Sequence, residues 1–131
     1  MVLARFEGDL VETLLACAEG RLAELPPPAF SPDPALTVVI AARGYPGAPA
    51  RGRAVEGIDA AEAGGALVFQ AGTRAEGDRL VAAGGRVLAV TGRGATLRQA
   101  RDAAYRGVAA IRYPDGFHRR DIGWRELARG D

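Results

Sequence analysis

The chain has 131 residues with seventeen basic and sixteen acidic side chains, about the length of one domain with a modest core. Its charges are nearly balanced and interspersed, which excludes an electrostatic case for nucleic acid or an anionic membrane surface. One His and one Cys leave no zinc-ligand spacing and no intrachain disulfide, and no apolar run approaches the roughly twenty residues of a membrane span.

In chain order, Leu3, Phe6, Leu10, Leu14 and Cys17 recur at three- and four-residue steps and predict one N-terminal helix ending near Gly20, which suits a left-handed cap. "PPPAFSPDP", Pro26 to Pro34, contains too much proline for helix or central strand and is expected to be an extended connector. "ALTVVIAAR", Ala35 to Arg43, is β-branched and bounded by Pro34 and a Gly/Pro-rich loop, the pattern of a buried strand. "AVEGI" reads as a short strand, and "GALVFQAGT", Gly65 to Thr73, as another ending in a glycine turn.

Two apolar runs in "RLVAAGGRVLAVT" flank Gly84-Gly85, which predicts a tight hairpin turning on the glycine pair. Thr96 is placed to cap an amphipathic helix in which Leu97, Ala100, Ala104, Val108 and Ile111 form the apolar stripe while Arg98, Arg101, Asp102 and Arg106 face away. "AIRY" is expected to form a strand, followed by a turn at "PDG". Strands followed by one packed helix predict an α+β domain with a mostly antiparallel sheet, preceded by the N-terminal helix. Residues 1–34 are assigned to the helix and connector, and residues 35–131 to the main domain.

Ser31 is the sole serine and lies in a proline-flanked loop, so a Ser-His-Asp hydrolase has no support. No Gly-rich phosphate loop with Lys-Ser/Thr and no G-x-G-x-x-G after a strand is present. With no leader-like segment and a single cysteine, a reducing cytoplasm is the expected compartment.

Two segments carry candidate chemistry. "RGYPGAPARG", Arg43 to Gly52, sets Arg43, Tyr45 and Gly47 in a loop that suits either anion contact or simple chain reversal. In "FHRRDIGW", Phe117 to Trp124, Arg119 and Arg120 have the paired donors that hold a phosphate or carboxylate, with Asp121 placed to orient one of them. The other reading is a surface Arg–Asp pair worth at most roughly 1 kcal/mol. His118 reads as a packing or hydrogen-bonding residue and Trp124 as a core or interface anchor.

Taken in order, "ARGYPG", "VFQAGT", "GGRVLAVT", "AYRGV" and "FHRRDIGW" resemble the C-terminal domain of the phosphoribosylamine–glycine ligases, enzymes of the ATP-grasp superfamily. The first helix resembles the segment leading out of their ATP-grasp region, so the likeness covers nearly the whole chain. It implies a domain that packs against ATP-grasp lobes and helps close the site where glycine is joined to 5-phosphoribosylamine with ATP going to ADP and phosphate in purine biosynthesis.

The resemblance implies ATP and magnesium or manganese for the complete enzyme, with no cofactor or metal ligand in this chain. Its implied partners are the ATP-grasp and N-terminal substrate domains, of the same enzyme or of a split partner, and phosphoribosylamine or glycinamide ribonucleotide. By analogy Arg119 and Arg120 would contact the substrate phosphate with Asp121 orienting, and Arg43, Tyr45 and Gly47 would form a loop near the active-site rim.

The chain departs from the family at several points. The "RFGDPE" type motif is missing, the chain has no Asn, Gln70 stands where His is usual, and Arg74 stands where Lys is common. The expectation is a fragment, a remnant domain or one piece of a split enzyme, inactive in ligation alone. Apolar surface left uncovered on the first helix or one sheet face is expected with it. The alternative is a stand-alone phosphate- or ribonucleotide-binding domain derived from such a ligase.

Overall fold

A computed structural model describes residues 1–130. The centre is a four-stranded antiparallel sheet in the order β4–β7–β3–β8, formed by Leu67–Gln70, Arg86–Arg93, Ala35–Ala42 and Gly116–Phe117. β3 and β7 are its long inner strands, as their β-branched runs dictate. Side chains alternate between faces along each strand, so Leu36, Val38 and Ile40 of β3 and Leu88 and Val90 of β7 share one buried face.

The helix α4, Leu97–Ala110, covers that face. Thr96 caps it, its hydroxyl accepting from Gln99 N–H at 3.2 Å. Ala100, Ala103, Ala104, Gly107 and Val108 are its buried residues, so the helix approaches the sheet closely through small side chains. A shorter helix, α3 at Ile58–Ala63, packs beside α4 and contributes buried Ala61. Its six residues carry too little periodicity to announce a helix, and the sequence reading missed it.

The α+β architecture stands as predicted, with three local corrections. First, the N-terminal region is broken: α1 is Val2–Arg5, β1 is Phe6–Glu7 and α2 is Leu10–Ala18. Asp9 restarts the helix by accepting from Glu12 N–H at 2.9 Å, while β1 pairs with β2, Ala29–Phe30, from within the proline-rich connector. Phe6 and Phe30 meet edge to face with centroids 5.7 Å apart. The predicted stripe is therefore not the buried face: Ala16 is buried, whereas Leu14 and Cys17 are exposed.

Second, Gly84-Gly85 is not a hairpin turn. β6, Arg79–Ala82, pairs instead with β5, Thr73–Glu76, around Gly77, whose φ of 58° meets the positive-φ demand of that turn. Gly84 and Gly85 are used for close approach: a Cβ on Gly84 would lie 3.2 Å from Gly72 Cα, and one on Gly85 only 2.4 Å from the Tyr45 ring. Third, "AIRY" supplies only an isolated bridge between Arg112 and Glu56, and "AVEGI" is likewise reduced to bridges at Ala54 and Glu56. The "PDG" turn forms, with Gly116 N–H donating to Tyr113 O at 2.9 Å.

The second sheet face is largely open. Phe69, Ala89 and Val39 form a lateral row across β4, β7 and β3, and Leu67, Phe69, Val39 and Phe117 are exposed. The segment around α1 lies against part of β3, but Val2, Leu3, Val11, Leu14 and Leu15 of the N-terminal region are themselves exposed. This is the uncovered apolar surface that the sequence reading called for.

Candidate functional site

The two arginine-bearing segments come to the rim of the sheet as separate clusters, sharing no hydrogen bond or ion pair among the described residues. The first cluster is built where β3 ends. Arg43 N–H donates to Asp115 O at 2.7 Å, and Arg43 O accepts from Ala50 N–H at 2.8 Å, closing the Gly/Pro loop on itself. The Asp115 carboxylate lies 3.1 Å from Arg43 Nη2 and 3.4 Å from Arg53 Nε, with its own side chain only 12% exposed.

Asp115 is thus the anchor of the loop, and Arg43 is neutralised where an anion-binding role would need it unpaired. Burial, reinforced by the neighbouring Asp115 carboxylate, pushes the Tyr113 phenol above its ordinary pKa, with the Arg43 charge opposing. Tyr45 is half exposed over Gly85, and the Tyr45–Pro46 peptide is cis. Gly47 sits at the loop tip, where an added Cβ would meet only Gly44 O at 3.5 Å.

The second cluster is carried by the loop after β8. The Tyr105 hydroxyl of α4 donates to Arg119 O at 2.8 Å and accepts from Ile122 N–H at 3.2 Å, while Arg101 Nη2 donates to Arg120 O at 3.2 Å. Helix α4 therefore fixes the backbone of residues 119–122. Arg119 grips Asp121 with both arms, Nε to Oδ1 at 2.9 Å and Nη2 to Oδ2 at 2.6 Å. That pair of hydrogen bonds holds the Asp121 carboxyl below its ordinary pKa and raises the Arg119 guanidinium.

Arg120 is placed differently. It makes no ion pair among the described residues, and it lines an open cleft of about 480 Å³ together with Arg101, Tyr105, His118 and the apolar Val108 and Ile111. The Tyr105 and His118 rings are 6.1 Å apart, and the Arg101 guanidinium lies over Tyr105 at 4.8 Å. Trp124 is exposed with Arg125 above its ring, which fits an interface anchor rather than a core residue.

The sequence reading paired Arg119 with Arg120, and the fold separates them into an ion-paired arginine and a cleft arginine. It also passed over Arg101, Tyr105, Arg53 and Asp115. Arg101 and Tyr105 stand four apart on α4 and so share a helix face, a signal present in the sequence. Asp115 gave no signal beyond its turn. Gln70 lies elsewhere, its Oε1 accepting from Thr73 Oγ1 at 2.9 Å, and Arg74 is paired with Glu76.

A one-sided antiparallel sheet, covered by α4 with α3 beside it and presenting arginines at an open rim, defines an α+β domain. Residues 35–125 match the family model described as "Phosphoribosylglycinamide synthetase, C domain", and the chain belongs to that family.

The phosphoribosylamine–glycine ligase of Phenylobacterium zucineum is 51% identical over 130 residues, covering 98% of this chain and 31% of that protein. The Streptomyces coelicolor ligase is 50% identical over 125 residues, covering 93% and 30%, and the chloroplastic Arabidopsis thaliana ligase 43% over 130 residues, covering 97% and 24%. The crystal structure of the Thermotoga maritima ligase superposes with a TM-score of 0.69 at 34% identity, covering 85% of this chain and 26% of that one. The chain spans less than a third of the length of these relatives.

Among the described residues no three of His, Cys, Asp or Glu gather as a metal-binding group, and no helix is long and apolar enough to cross a membrane.

Proposed function

We propose that this chain serves as the C-terminal portion of a phosphoribosylamine–glycine ligase, in which glycine is joined to 5-phosphoribosylamine as ATP is converted to ADP and phosphate in purine biosynthesis. The observation that carries the reading is the 51% identity extending over 98% of this chain but only 31% of the relative. The uncovered sheet face and the exposed Val11, Leu14 and Leu15 support it, because apolar surface of that kind is normally covered by a partner. The partners are ATP-grasp and substrate domains, in one polypeptide or in a split enzyme, working in the cytoplasm.

ATP and a divalent cation, magnesium or manganese, belong to those partner domains. In this chain Asp121 is held by Arg119, and Asp115 by Arg43 and Arg53. Its contribution is to shape the rim. Arg120, without an ion pair among the described residues, offers its guanidinium to the 5-phosphate of the substrate, Arg119 is held by Asp121, and the Arg43–Gly47 loop with Tyr45 forms a separate part of the rim.

The test is domain replacement. This chain is substituted for the corresponding region of the Phenylobacterium zucineum ligase, and ADP formation that depends on glycine and phosphoribosylamine is measured. Activity within about tenfold of the parent is expected. A folded, ATP-binding chimera without activity would overturn the reading.

A further inference from the structure

We infer that Tyr105 is a positioning residue of the ligase site: its hydroxyl closes the loop from Arg119 to Ile122 and so sets the direction in which Arg120 leaves the chain. The groups it joins, the Arg119 carbonyl and the Ile122 N–H, are those that an ordinary four-residue turn would bond to each other. Here the phenol stands between them, donating to Arg119 O at 2.8 Å and accepting from Ile122 N–H at 3.2 Å. Arg120 and Asp121 occupy the corner of the loop closed in this way.

Little else holds that shape. Among the described residues, the backbone of residues 119–122 makes a single hydrogen bond to other backbone, Asp121 O accepting from Trp124 N–H at 3.2 Å. The Arg119–Asp121 pair joins two side chains within the loop and ties it to nothing outside. The remaining tether again comes from α4: Arg101 Nη2 donates to Arg120 O at 3.2 Å, and the Arg101 guanidinium lies over the Tyr105 ring at 4.8 Å.

The Tyr105 ring packs against the hydrophobic core, so the hydroxyl is held from the helix side independently of the loop. A hydroxyl both donates and accepts, which the bridge requires; Phe would keep the ring, its packing and its place under Arg101 but could do neither. With the corner tied in advance, Arg120 meets its ligand without first ordering the loop that carries it. This kinetic role rests on the function proposed above, whereas the closure of the loop by Tyr105 does not.

The experiment has two arms. In the domain-replacement chimera, Tyr105→Phe should raise the KM for phosphoribosylamine about tenfold, with kcat within about twofold and the KM for ATP and for glycine unchanged. On an Arg120→Ala background the same change should add less than about twofold, because the side chain it positions is already gone. Arg98→Ala, exposed on the same helix and outside the bridge, should leave all these constants as they are. An unchanged KM in Tyr105→Phe, effects of Tyr105→Phe and Arg120→Ala that multiply, or a parallel loss of kcat and of affinity for all three substrates would overturn the role.

The second arm uses the 131-residue chain, with the amides of residues 119–122 followed by NMR relaxation. In the parent they should be as ordered as those of α4, and Tyr105→Phe should make them more mobile while α4 stays as it was. Unchanged mobility overturns the bridge whatever the chimera does. An inactive parent chimera beside a loosened Tyr105→Phe loop overturns the proposed function and the kinetic role with it, and leaves the bridge standing.

Discussion

Gly107→Ala sets local and tertiary forces directly against each other. Gly107 lies inside α4, where replacing glycine by alanine in isolation should stabilise the helix by roughly 0.8–1 kcal/mol. The tertiary structure opposes this. A Cβ at Gly107 would stand 2.6 Å from Ala66 Cβ and 2.8 Å from Val90 Cγ1, both on fully packed residues. Neither neighbour has a flexible end to swing aside, since Ala66 Cβ is tied to its backbone and Val90 sits on the central strand β7.

Relief therefore requires lifting α4 from the sheet, and overpacking of this kind costs about 1–3 kcal/mol, with methyl overlaps this deep at the upper end. The net expectation is destabilisation by about 1–2 kcal/mol, seen as a melting temperature lower by roughly 5 °C. Urea unfolding followed by far-ultraviolet circular dichroism gives the number. The local contribution is calibrated by comparing Arg106→Ala with Arg106→Gly at an exposed position of the same helix. A Gly107→Ala protein as stable as the parent, or more so, would refute the close approach of α4 to β7.

Three further outcomes follow from the rim and the open face. Asp115→Ala releases Arg43 and Arg53 together, so trypsin should cut the 43–53 loop faster, with a global stability loss of about 1–2 kcal/mol; unchanged cleavage would show that the carboxylate does not anchor the loop. The Asp121 carboxyl should titrate below an ordinary aspartate because its hydrogen bonds to Arg119 favour the ionised form. The sign follows: the pairing is intact above the unfolded pKa and is lost as pH falls through the lower folded value, and Arg119→Ala should return the NMR midpoint toward the ordinary range. Leu14→Glu with Leu15→Glu should leave the melting temperature of this chain within about 1 °C, both side chains being exposed, while sharply reducing ADP formation in the domain-replacement chimera; equal activity would remove α2 from the domain contact.

The pattern of agreement between sequence and structure has physical causes. β3, β7 and α4 were legible because each is long enough for its own period to be unmistakable, and Thr96 marks the helix start by its own hydrogen bond. The N-terminal break was legible in principle, since Asp9-Leu10-Val11-Glu12 is a capping pattern, but the apolar spacing of Leu3, Phe6 and Leu10 ran across it.

Gly84-Gly85 misled for a different reason. A glycine pair between apolar runs is the same string whether it turns the chain or lets Gly72 and Tyr45 lie against it, and only the packed neighbours distinguish the two. The hairpin that does form, around Gly77, joins the polar β5 to the apolar β6, and at four residues each neither strand is long enough for its period to mark it.

Ordered blocks of sequence determined the family and the α+β class, because backbone hydrogen bonding and side-chain periodicity act over a few residues at a time. The roles of the arginines were decided only in three dimensions. Arg119 and Arg120 are adjacent and chemically alike, yet Asp121 claims the first, while Tyr105 and Arg101, fourteen and nineteen residues upstream of the carbonyls they hold, fix the loop so that the second faces His118. Adjacent side chains on an irregular loop diverge, and which guanidinium stays unpaired depends on contacts that close only when α4 lies across the sheet.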